Sequence, residues 1–244
     1  MTVKLLHLFP DDLSASGDSG NIQTVSYRLS SRGIAVESLS WSGSGDLPSD
    51  VNAVFIGNGP WSAAKRVLAV LSKQADALAK LAQANVPFFA VGSGAEILSE
   101  SVVDGQGLRH EGLGIFPFSA RREVDRRVGY MKITRGSDEF VGFGDFASIW
   151  TLSDESAALG SGLVGDRSSE VFPEGTFIGA SISTRMGGPA LPLNPALADL
   201  VIGLVLSNAG ISTELARLET DEYPENARAV IFKHLDTHFA TIAL

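Results

Sequence analysis

The sequence predicts an α/β protein built on a mostly parallel, doubly wound sheet flanked by helices, with additional β-hairpins in its second half. Three observations predict this. Over residues 3–98, apolar runs of strand length alternate with stretches of helical composition, the order of a parallel sheet with right-handed crossovers. Over residues 105–188 the pattern changes to short alternating segments separated by glycine-containing turns, which reads as strands and hairpins. At the end of the first stretch, Pro87-Phe88-Phe89-Ala90-Val91 is an apolar strand, Gly92-Ser93-Gly94 breaks it, and Ala95-Glu96-Ile97-Leu98 suits a helix. Such a strand, tight turn and helix raises the apex residue above the sheet, where nucleophiles are often placed.

The elements follow in order. Residues 3–9 are mostly apolar and stop at Pro10-Asp11-Asp12, a first buried strand. The turn-forming run at 14–21 leads to a helix over 22–32 that ends at Gly33, with Asn21 or Ser19 placed to cap it. Residues 34–41 form a second strand and 53–56 a third, ending in Gly57-Asn58-Gly59-Pro60. Residues 62–84, rich in Ala, Leu and Lys, form a long or broken helix, and 86–91 the fourth strand. By this order the loops at 11–21, 57–62 and 91–95 meet at the carboxyl edge of the sheet, where open α/β sheets bind ligands. Beyond it, residues 113–118, 128–133, 139–143 and 176–182 read as strands, 189–194 as a loop, a helix opens at Pro195 and runs to about Asn208, and 221–244 is a terminal helical region.

Composition narrows the function. The 244 residues carry 28 Asp and Glu against 19 Lys and Arg, a net charge of −9, which argues against a nucleic-acid partner, although Arg121, Arg122, Arg126 and Arg127 form a local basic patch. There is no cysteine, so disulfides, thiolate metal sites and thiol nucleophiles are excluded. The amino-terminal apolar run is too short for a signal peptide and no window suits membrane insertion, so the expectation is a cytoplasmic protein.

Six motifs then occur in a telling order: Asp18-Ser19-Gly20-Asn21-Ile22, Phe55-Ile56-Gly57-Asn58-Gly59, the run at 86–98, Glu111-Gly112-Leu113-Gly114-Ile115, Val141-Gly142-Phe143, and Gly187-Gly188-Pro189-Ala190-Leu191-Pro192-Leu193-Asn194. Together they resemble class I glutamine amidotransferases of the cobyric acid synthase type, with a flavodoxin-like fold, and most of all the glutaminase subunit of lipid II isoglutaminyl synthase. The resemblance implies a domain over residues 1–209 with a helical extension at 210–244. It also implies a Mur-ligase-like protein partner, glutamine or a related small molecule as ligand, and neither cofactor nor metal.

The resemblance carries the family's residues over with gaps. The family's cysteine falls on Gly92, its histidine on Gly187, and an Asn-His pair on Asp145 and Phe146. A glycine supplies neither attack nor proton transfer, so glutaminase chemistry by the family route is not expected, and a binding or regulatory subunit in peptidoglycan precursor modification is. Arg126 matches an arginine that helps hold glutamine. Gly57, Asn58 and Gly59 match the loop that gives an oxyanion-binding N–H, and the Ser93 amide, beside Gly94, is the other donor. Alternatives are a small-ligand sensor and a hydrolase using Ser93, which would need a base from His7, His110, His234 or His238. Trp61 is read as packing at or near the pocket. His234 and His238 share a helical face and are read as solvated.

Overall fold

A computed structural model describes residues 2–165 and 171–235. The first half is β1 (Thr2–Leu8), α1 (Ser19–Ser30), β2 (Ala35–Trp41), β3 (Ala53–Ile56), α2 (Trp61–Leu71), α3 (Ala75–Gln83), β4 (Phe88–Val91) and α4 (Gly92–Leu98). The helix expected over 62–84 is therefore broken, by a 3-10 turn at Ser72–Gln74. The second half is β5 (Ser99–Val103), β6 (Arg109–Glu111), β7 (Phe116–Arg135), β8 (Asp138–Leu152), β9 (Gly160–Val164), β10 (Phe172–Glu174), β11 (Thr176–Ile178), β12 (Ser181–Thr184), β13 (Met186–Gly187), α5 (Ala190–Leu193), α6 (Pro195–Asn208) and α7 (Glu222–Lys233).

One sheet has the order β11-β12-β4-β3-β1-β2, parallel throughout except for the edge strand β11. Its central strands β1, β3 and β4 are buried on both faces, which is why they read as nearly continuous apolar runs. Leu6, Leu8, Val54, Ile56, Phe88 and Ala90 face the core under α2 and α3. Val3, Leu5, Phe55, Phe89, Val91 and Ile182 face the core under α1 and α6. Fully burying one such leucine or phenylalanine contributes about 1.5–3 kcal/mol.

The second sheet departs most from expectation. The short segments at 128–133 and 139–143, and residues 116–118 of the one expected at 113–118, belong to two long strands, β7 of 20 residues and β8 of 15, joined as a hairpin around Gly136 at φ +58°. The pairing register slips between Arg122 and Arg127. On one side of that bulge Phe116, Phe118 and Ala120 pack into the first core; on the other, Met131 and Ile133 pack into the second. A bulge bends its strand, and here it lets one strand serve both cores.

Smaller corrections follow from tertiary contacts. Residues 176–182 are not one strand but the hairpin β11–β12. Residues 189–194 contain the short helix α5 rather than only loop. Helix α1 begins at Ser19 with Asp18 as its N-cap, and neither Asn21 nor Ser19 caps it: the Leu191 N–H donates to Asn21 Oδ1 at 2.9 Å, and the Ser19 N–H donates to Ser14 Oγ at 3.0 Å. The segment after residue 210 is tied to the body. Arg28 pairs with Asp221 and, at 2.7 Å, with Asp199, while Arg228 donates to Asn194 Oδ1 at 2.7 Å and to Glu139 O at 2.6 Å.

Candidate functional site

The turn after β4 has the expected form. Val91 is extended and Gly92 sits at φ +53°, a conformation L side chains rarely adopt. Space forbids a side chain as well: a Cβ at Gly92 would lie 2.4 Å from Oδ1 and 2.6 Å from Cγ of Asn58. The Asn58 carboxamide thus fills the room over the apex, accepting from the Ser93 N–H at 3.0 Å and donating to Ser16 Oγ at 3.1 Å. The Ser93 hydroxyl is buried, accepting from the Gly59 N–H and donating to Gly59 O, both at 2.9 Å.

Two of the glycines make this closeness feasible. A Cβ on Gly94 would fall 2.3 Å from Gly57 O, and one on Gly57 would fall 2.3 Å from Leu13 O. Both are backbone contacts that cannot move aside. Gly57 and Gly94 therefore hold the loops together behind the pocket, and Gly59 lies on its wall.

That pocket, about 470 Å³, opens over the turn between the two sheets. The parallel-sheet loops contribute Ser16, Asn58 and Ser93 to its wall, and the second sheet contributes Arg122, Arg126, Asp145 and Ser148. Among the described residues three guanidinium groups lie on the walls, each facing a carboxylate. Arg122 pairs with buried Glu96 at 2.5 Å and lies over the Trp61 ring at 5.1 Å. Arg185, on the link between β12 and β13, pairs with fully buried Glu174 at 2.8 Å and lies 4.7–5.2 Å from the rings of Phe146, Phe172 and Trp150. Arg126, in the bulge, makes a two-point pair with Asp145: Nη2 to Oδ2 at 2.8 Å and Nε to Oδ1. That hydrogen bonding raises the pKa of Arg126 further.

Beneath the loops, Asp18 is buried, with Oδ1 unpaired. Burial pushes its carboxyl up to about 6, against the opposing pull of N–H groups from Asn58 and Ser16.

The residues singled out in the sequence separate here. Gly92, Asn58, Gly59, Ser93, Arg126, Asp145, Phe146 and Trp61 all line the pocket. Gly187 does not; it pairs with Phe143 between β13 and β8, and a Cβ there would meet Ser16 Cβ at 3.2 Å. Met186 packs against Gly142 and does not line the pocket. Among the described residues no histidine lines it: His7 is buried in β1, where desolvation lowers its pKa; His110 bonds Asp104 at 2.8 Å and meets Trp61 edge-on at 5.4 Å; His234 follows α7. His238 lies outside the described residues. Sequence reasoning missed Arg185 and Glu174, and it placed Asp18 in a motif without assigning it a role. The available signal was a charge inside an otherwise uncharged run, as at Arg185 in Ile182-Ser183-Thr184-Arg185-Met186.

The model of the CobB/CobQ-like glutamine amidotransferase domain matches residues 9–172. The chain belongs to this family. A solved glutamine amidotransferase, 15% identical, aligns over 84% of this chain and 99% of its own with a TM-score of 0.50. A glutamine amidotransferase from Thermotoga maritima, 13% identical, aligns over 96% of both chains with a TM-score of 0.51. At these identities the structural likeness shows the shared fold alone. No curated protein sequence matches. Within the amidotransferase fold, the turn at Gly92 and the pocket above it lie at the carboxyl end of β4, the edge where open α/β sheets carry their sites. Among the described residues no helix is long and apolar enough to cross a membrane, and no three His, Asp or Glu side chains are grouped to hold a metal ion.

Proposed function

We propose that this chain is a glutamine amidotransferase-like protein without glutaminase activity, serving as a binding or regulatory subunit of a cytoplasmic amidating complex. Its partner would be a Mur-ligase-like protein acting on a cell-wall precursor. The observation that carries the first part is the apex of the turn: Gly92 stands at the nucleophile position implied by the motif resemblance, and the Asn58 carboxamide occupies the space a side chain would need. Family catalysis joins attack by a thiolate to proton transfer by an imidazole, and this chain has no cysteine. The Ser93 hydroxyl is a poor replacement, because Gly59 engages it as both donor and acceptor and no histidine faces it among the described residues. The partner class rests on the six ordered motifs.

The test is reconstitution. The purified chain, mixed with a Mur-ligase-like protein from the same source, should form a stable complex by size-exclusion chromatography, and amidation in that complex should run on free ammonia but not on glutamine. A chain that stays solitary, or a complex that uses glutamine, contradicts the reading. The open pocket favours a second reading, a small-ligand sensor. A rise in Tm with glutamine, glutamate or a related amino acid, and no partner, would support it.

A further inference from the structure

The three arginines of the pocket differ in one respect. The side chains of Arg185 and Arg122 are 5% and 21% exposed, and their carboxylates, on Glu174 and Glu96, are 0% and 3% exposed, so these pairs belong to the wall. Arg126 and Asp145 are 39% and 36% exposed. Arg126 is thus the most exposed guanidinium of the three, and its fork already holds a carboxylate in the two-point geometry by which arginine recognises such groups.

From this we infer that Asp145 is a specificity-determining residue: it occupies Arg126 as an internal ligand and closes the pocket to small molecules that would bind there through a carboxylate. Two effects act together. A carboxylate tethered on the neighbouring strand competes for the fork, so the fork is free for only part of the time, and apparent affinity falls by that fraction. A ligand that does displace Asp145 leaves a second negative charge beside its own in the same pocket. The occupant this pocket accepts is therefore uncharged or cationic where it meets Arg126 and Asp145. The inference rests on the reading of the pocket as a ligand site, but it stands or falls separately from the absence of glutaminase activity.

Asp145→Asn keeps the size of the side chain and removes its charge. By calorimetry, the full-length variant should bind L-glutamate about tenfold more tightly than the unaltered protein, and Arg126→Ala in the same background should abolish the gain. Equal affinity in the first two proteins, or a gain that survives loss of Arg126, would overturn the proposal. A measurement on the unaltered protein removes dependence on the variant's folding: the Arg126 Nε–H resonance should stay in place on addition of millimolar L-glutamate, and its displacement would count against the inference whatever the variants do. Glutamine hydrolysis does not enter either readout, so ammonia release would defeat the proposed function and leave this one standing.

Discussion

The two sheets build the pocket from different materials. The parallel sheet contributes backbone, in the form of glycines at near-contact distance, a left-handed turn and a serine and an asparagine that bond to neighbouring loops. The hairpin sheet contributes charge, with Arg122, Arg126 and Asp145 on β7 and β8, while Arg185 reaches in from the link between β12 and β13. The first region reproduces the frame of an amidotransferase, and the second satisfies its own charges internally. Gly57 and Gly94 are required by packing whatever residue stands at the turn between them.

Substitutions can break this contrast at either side. The largest effect is expected at the buried pair: Arg185→Leu leaves the fully buried Glu174 without its counter-charge, and chemical denaturation should show a loss of about 3–5 kcal/mol. Gly94→Ala should come next, at about 3 kcal/mol by the same measurement, because its methyl group meets the Gly57 carbonyl and not a flexible side chain. An alanine tolerated there would show that the loops are not in backbone contact.

Asp18 gives a pH signature of similar size. Its folded pKa, about 6, lies above the ordinary aspartate value of 3.8, so the native state holds the proton more tightly. That contribution is fully present below about pH 4 and is lost as pH rises through 6, amounting to about 3 kcal/mol. Asp18→Asn should remove this decline from a stability profile measured between pH 4 and 7, and an unchanged profile would place the titration elsewhere. The smallest effect is expected at the hairpin rim, where Arg126→Ala should cost less than about 1 kcal/mol, since both partners are more than a third exposed.

How far the sequence reveals this molecule depends on whether the cause is local. The turn at Gly92 is legible because Gly-Ser-Gly interrupts a strand-length apolar run just before helix-forming residues, and the helix over residues 195–208 is legible from Pro195 at its start. The long hairpin is not legible, because the polar run at 121–127 interrupts the alternation where the strand bulges and passes from one core to the other. Asn21 reads as a cap only until Leu191, 170 residues away, takes its oxygen. At the site, single residues such as Arg126 and Asn58 are visible, but their occupants are not: that Asp145 fills one and that Asn58 itself fills the apex are facts of tertiary approach.

The central claim is that this frame binds without catalysing. Ammonia release from L-glutamine, followed with the purified protein alone and with a Mur-ligase-like partner, tests it most directly. No release above the protein-free rate is expected in either case. Glutamine-dependent release that disappears in Ser93→Ala would contradict the account.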